Sequence, residues 1–158
     1  LEQLCPDAIC SVLLMDDDGI HLRHGAAPSL PEDYSKQVDG IKIGPFAGSC
    51  GTAVILQQPV IVEDIATDRL WEHGRDIALG HGLKACWSCP IFDRSGKVLG
   101  TFAMYYRAVR KPSQTEREVT ERAAQMVRIA IERRQAEASL QMARQREDLH
   151  RQQTPLGV

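Results

Sequence analysis

The chain has few aromatic residues, 5% of 158, and no excess of positive charge. Its 19 Lys and Arg stand against 21 Asp and Glu, for a formal net charge of −2. No basic face is announced, which argues against nucleic-acid binding. No apolar run reaches the ~18 residues that a membrane span needs, and no secretory signal pattern is present. Catalytic templates are missing too. "GSCGTA" lacks the Lys-Ser/Thr ending of a P-loop. No G-x-S-x-G elbow, H-E-x-x-H pair or kinase motif set occurs. The cysteines Cys5, Cys10, Cys50, Cys86 and Cys89 are odd in number and irregularly spaced. That argues against a secreted disulfide framework and for a reducing, cytoplasmic setting.

What is present is the composition of one ordinary globular core, 43% apolar and 25% charged. The chain starts without Met and ends in "HRQQTPLGV", so it reads as a piece of a longer polypeptide. "AICSVLLMD" is a short apolar run suited to a buried strand. "DDDG" is a turn, and "IHLRH" alternates as a half-buried strand does, so the two strands form a hairpin. Pro31 suits the start of a helix to about Val38, which Gly40 stops. "IKI" is a short strand. In "GSCGTAVILQQP" the spacing predicts a helix with Ser49 as N-cap and Pro59 as terminator. "VIVEDI" is a strand, and Asp68 caps one helix through "RLWEHGRDIALGHG". "KACWSCPIFD" and "KVLGTFAMYYR" are strands joined by a "DRSG" hairpin turn. The second is apolar on both faces, with Val98, Phe102 and Met104 on one and Leu99, Ala103 and Tyr105 on the other. Such a strand is central and covered on both sides.

From Ser113 onward one long helix is predicted, with Ser113 and Glu116 at capping-box spacing. Val119, Ala123, Met126 and Ala130 form its apolar face, and Leu140 and Ala143 extend a thinner stripe. Beyond Arg133 the sequence turns charged. The division is a sensory domain over 1–133 and a signalling or linker helix and tail over 134–158. That helix either pairs with a partner or is a solvated tail. The architecture is α+β, with six strands in a mostly antiparallel sheet flanked by helices.

These runs carry a resemblance. "GSCGTAV", "PVIVEDIATDRLW", "HGLKACWSCPIFDRSGKVLGTFAMYYR" and "AIERRQAE" resemble a GAF domain of bacterial multidomain signalling proteins. The resemblance implies a GAF-like six-stranded sheet with helices on one face and a small-molecule pocket on the other. It implies a homodimer through terminal helices. It also implies a covalently linked output domain, such as a histidine kinase of a two-component system. GGDEF or EAL domains of cyclic-di-GMP turnover are the other outputs expected. The ligand is left open: cyclic nucleotides, small aromatics, metals or none.

In the GAF plan the pocket lies against the segments 44–59 and 66–84. The candidate lining is Phe46, Cys50, Thr52, Asp64, Trp71, His81, Trp87 and Cys89. Two Trp rings supply apolar wall, and Asp64 or Thr52 fixes orientation. Each also has a plainer reading, with Trp71 and Trp87 in the core and Asp64 capping its own loop. Cys50 at a helix start has its thiolate favoured by the backbone N–H groups, while burial opposes it. A small buried residue is its plainer role. "CWSC" has a metal-binding spacing, but residues three apart in a strand point to opposite faces. Cys50 also matches a cysteine in the similar "CGTA" motif of free methionine sulfoxide reductases, which keep the GAF plan. Their other redox positions are not filled here: Gly40 stands ten residues upstream, and "WEHGRDIALGHG" has no thiol. The expectation is a non-catalytic sensory module, with a thiol-based redox enzyme or a purely structural dimerisation domain as alternatives.

Overall fold

The computed structural model describes residues 1–153. Six strands form one sheet in the order β3-β2-β1-β6-β5-β4, and every neighbouring pair is antiparallel. β1 (Ala8–Met15) and β2 (His21–Ala26) are the first predicted hairpin. Asp18 holds its turn, accepting from the backbone N–H groups of Ile20 and His21 at 2.8 and 3.0 Å. Those bonds, the Ile20 one first, hold its carboxyl down at about 2. β3 (Ile41–Lys42) and β4 (Val60–Val62) are the short edges. β5 (Ala85–Phe92) and β6 (Val98–Tyr106) form the second hairpin, and β6 is central and buried on both faces.

One predicted detail of β6 is overturned. Phe92 pairs with Val98 but Ile91 pairs with Gly100, so Leu99 is an extra residue in the ladder. This bulge breaks the period of two. Val98 therefore packs with Ala103 and Tyr105, and Leu99 joins Phe102 and Met104 on the other face.

On the Tyr105 face lie three short helices. α1 (Glu32–Val38) follows Pro31. α2 (Gly48–Leu56) starts one residue before the predicted cap. Ser49 is thus inside the first turn, where its hydroxyl donates to the Cys86 carbonyl at 3.0 Å instead of capping. The helix predicted after Asp68 is two pieces, a 3₁₀ turn at Arg69–Trp71 and α3 (Arg75–Gly80). Asp68 caps the first, accepting from Leu70 N–H at 2.9 Å. The break at His73–Gly74 lets the Trp71 ring turn inward, to 5% exposure.

The opposite face of the sheet is covered by α4 (Gln114–Gln153), whose 40 residues span about 60 Å. The predicted capping box is present. Ser113 Oγ accepts from Glu116 N–H at 3.2 Å, and Glu116 accepts from Ser113 N–H at 2.8 Å. Ser113→Ala is expected to lower unfolding stability by about 1 kcal/mol. Urea unfolding followed by circular dichroism checks this, and an unchanged midpoint would deny the box a role.

The seated face of α4 differs from the predicted one. Thr120, Ala123 and Ala124 are buried, and Val127 and Ile131 pack beside them. Met126 is 69% exposed, and Ala130 faces solvent. The pattern hid Thr120, whose hydroxyl donates to the Glu116 carbonyl at 2.7 Å and so carries no unpaired polarity inward. From Arg133 to Gln153 every residue is exposed. Residues 154–158 of the predicted tail lie outside the described residues.

Where β6 meets α4, the Arg110 guanidinium lies 4.4 Å above the Tyr106 ring and 5.5 Å above that of Trp87. It also pairs with Glu116, and Arg110 N–H donates to the Glu63 carbonyl at 3.1 Å. Residues 1–7 form turns that bond Leu4 and Cys5 N–H to the Leu1 carbonyl, with no helix. Among the described residues, no helix is long and apolar enough to cross a membrane.

Candidate functional site

A cavity of about 460 Å³ lies between the Tyr105 face of the sheet and the segments 41–50 and 71–77. That volume is in the range of small-molecule sites. α1 closes one side with Tyr34 and Val38, and Leu13 and Tyr105 form the sheet wall. The rings are locked to one another. Tyr34 OH donates to Tyr105 OH at 3.2 Å, and both rings meet edge to face at 5.6 Å. Burial pushes both phenols up, so both stay neutral donors.

Trp71 stands edge-on to Tyr105 at 6.4 Å. Its Nε1–H donates to Ser49 Oγ at 3.1 Å, and Ser49 passes the chain on to Cys86 O. Gly48, at φ +67°, lies beside the Trp71 ring: a Cβ added there would stand 3.5 Å from it. A side chain there would have to adopt the left-handed region as well as meet the ring. Arg75 fixes the turn from below, donating to the carbonyls of Ile65 and Asp68 at 3.1 and 2.8 Å.

Of the eight residues chosen from sequence, Phe46, Cys50 and Trp71 line this cavity. Phe46 is at its rim, 38% exposed, under the Arg69 guanidinium. Thr52 is buried behind the wall, its hydroxyl directed to the Pro45 carbonyl at 3.3 Å. Asp64 accepts from Ala66 N–H and Thr67 Oγ1 and holds its own loop. His81 ends α3, stacked edge-on to Tyr34 at 5.7 Å, outside the cavity lining. Trp87 and Cys89 pack in the other cluster, on the α4 face. β5 alternation puts them there and puts Cys86 on the cavity side, so Cys86 and Cys89 do not converge on one ion.

Sequence reasoning missed Tyr34, Tyr105 and Ser49. Tyr105 was legible as an inward residue of a central strand. Tyr34 needed knowledge that α1 folds over the sheet, which no local signal carries.

Cys50 is the one thiol in the lining. Ser88 Oγ donates to its sulfur at 3.3 Å. The hydrogen bond from Cys86 holds the Cys50 thiol below the usual range, and burial opposes it. Burial and the bond to Cys50 push Cys86 up. The two thiols titrate as a pair and not singly.

A model of the GAF domain family matches residues 1–132. The chain is similar to the methyl sulfide methyltransferase-associated sensor of Methanosarcina acetivorans, 41% identical over 145 residues. That match takes in 92% of this chain and 14% of the relative, so the chain spans about a seventh of its length. Its fold is similar to a domain of a two-component sensor histidine kinase protein from Sinorhizobium meliloti 1021, with a TM-score of 0.65 and 25% identity. That likeness covers 85% of this chain and 84% of the other. It also shares its fold, at a TM-score of 0.64 and 14% identity, with a type II free methionine-R-sulfoxide reductase from Thermoplasma acidophilum, over 82% of this chain and 83% of that one. The curled six-stranded antiparallel sheet, the cavity on one face and the long helix on the other agree with the family match: this chain belongs to the GAF domain family.

Proposed function

We propose that this chain is a non-catalytic sensory module. It takes a small apolar or aromatic ligand, pairs with a second copy along α4 and passes its state to an output domain in a larger signalling protein. The observation that carries this reading is the position of β6 between the two. Tyr105 walls the cavity on one face, while Met104 and Tyr106 pack in the cluster beneath α4 on the other. A ligand that shifts Tyr105 acts on the strand that carries α4, and it changes output only by favouring one arrangement of the helices. The name of the Methanosarcina relative, a sensor of much greater length, supports a sensory role within a longer protein. A histidine kinase, GGDEF or EAL unit is the kind of output proposed.

The pairing surface is the outward stripe of α4. Met126, Ile129 and Leu140 are 69%, 60% and 54% exposed and follow the 3-4 spacing of a coiled-coil seam, with Ala136 and Ala143 between and after them. Arg133 interrupts the seam, so the dimer is weak in isolation.

Native mass spectrometry of the freshly purified chain, with and without residues 134–158, tests both halves. Expected are a ligand mass above the bare polypeptide and a dimer that the truncation dissociates. A bare monomer in both forms at high concentration would sink the reading. In the full-length protein, a proline inserted after Arg133 is expected to uncouple output while the domain stays folded.

A second reading, a thiol-based methionine sulfoxide reductase, is favoured by the shared fold and by Cys50 at the cavity. Turnover of free methionine sulfoxide with a thiol reductant would establish it.

A further inference from the structure

Two of the five cysteines sit in one buried cluster, where the first turn of α2 packs on β5. Cys50, in the first turn of α2, is 4% exposed, and Cys86, in β5, is fully buried. Ser88, two residues along β5 from Cys86 and on the same face, donates its hydroxyl to the Cys50 sulfur at 3.3 Å, and the interaction with Cys86 lowers the Cys50 pKa. The Ser49 hydroxyl ties the two elements together at the Cys86 carbonyl, 3.0 Å away. Cys50 lines the cavity and Cys86 does not, so an oxidant in the cavity meets Cys50 first and Cys86 is left to resolve.

We propose that Cys50 and Cys86 are a dithiol pair that a small hydroperoxide, entering through the cavity, oxidises to a disulfide joining α2 to β5. The Cys50 thiolate attacks one peroxide oxygen. The O–O bond breaks, an S–O bond forms, and the departing alkoxide or hydroxide takes a proton and leaves as alcohol or water. Cys50 is then a sulfenic acid. The Cys86 sulfur attacks the Cys50 sulfur, the S–O bond breaks, and hydroxide leaves as water with the Cys86 proton. Two electrons pass from the two thiols to the peroxide, and one S–S bond forms. Cys89 takes no part, because it lies on the far face of the sheet. The pair stands apart from the sensory reading: a cavity without a ligand leaves the dithiol intact, and an inert dithiol leaves the cavity intact.

The test treats the reduced whole chain with hydrogen peroxide, alkylates the remaining thiols in denaturant and maps the tryptic peptides. Peptide 43–69, carrying Cys50, is expected joined to peptide 85–94, which carries Cys86 and Cys89. Cys89→Ala should keep the link. Cys86→Ala should lose it and raise dimedone trapping of sulfenic acid at Cys50 several-fold. Ser88→Ala, which leaves both thiols in place, should slow linkage several-fold and move the pH profile of Cys50 alkylation upward. The proposal is overturned if wild-type Cys50 and Cys86 remain alkylatable while Cys5 or Cys10 oxidises, or if Cys89→Ala is the substitution that removes the link.

Discussion

Gly100→Ala is expected to cost about 3 kcal/mol of folding stability or more, the upper end for overfilling a packed site. A Cβ at this position would stand 2.1 Å from the Leu13 carbonyl oxygen and 3.1 Å from its carbon. These are backbone atoms of β1, paired to β6 over seven residue pairs from Ala8–Tyr106 to Leu14–Gly100. No side chain can rotate to make room. Relief requires β1 to move away from β6 in the middle of the sheet, at the expense of ladder hydrogen bonds. Gly80→Ala is the matched control. It adds the same methyl group at the end of α3, where nothing lies within 4 Å, and should be neutral or stabilising by a few tenths of a kcal/mol. Urea unfolding of both variants decides the matter. A Gly100→Ala midpoint close to wild type would mean that β1 yields without loss.

Trp71→Ala should cost about 3 kcal/mol, at the low end for a large aromatic because one side of the ring faces a cavity that water can enter. The ring lies between Gly48 and Gly74, where added Cβ atoms would stand 3.5 and 3.6 Å from it, and it meets Tyr105 edge-on. Both glycines would then border a hole, and the segment from Asp68 to α3 would lose its anchor to the sheet. Trp71→Phe separates the two parts of this role. It keeps most of the apolar area and removes the N–H that serves Ser49. Ser49 still donates to Cys86 O, so no buried donor is stranded and the cost should be about 1 kcal/mol. If a cavity ligand is found, both variants should weaken it, the alanine more. Equal stability losses for the two substitutions would show that the hydrogen bond, not the ring, holds the turn.

The elements that could be read from the sequence are those whose cause is local. Both hairpins follow from turn residues beside alternating runs, and the start of α4 follows from Ser113 and Glu116. What could not be read depends on contacts between distant segments. The seated face of α4 is set by how closely Ala123 and Ala124 let it approach the sheet, and a count of apolar residues favours Met126 instead. The β6 faces near Val98 are set by an extra residue that alternation cannot show. The candidate site follows the same division. Phe46, Cys50 and Trp71 flank the cavity because segments 41–50 and 71–77 fold over it. Trp87 and Cys89 share a parity that the sequence displays, but which face of β5 holds the cavity is decided by where α4 docks.

The Arg110 clasp has a mechanical consequence. The guanidinium stacks on two rings that belong to the sheet and pairs with Glu116 in the first turn of α4. The connection between sheet and helix is thereby stiff, and a stiff connection transmits rotation instead of absorbing it. Beyond Glu132 every described residue of the helix is exposed, and this part is about 30 Å long. A tilt of about 5° at the sheet becomes a sideways travel of about 3 Å at its far end, by the same rise per residue. The protruding helix works as a pointer, converting a change too small to reshape the domain into a displacement comparable to a hydrogen-bond length.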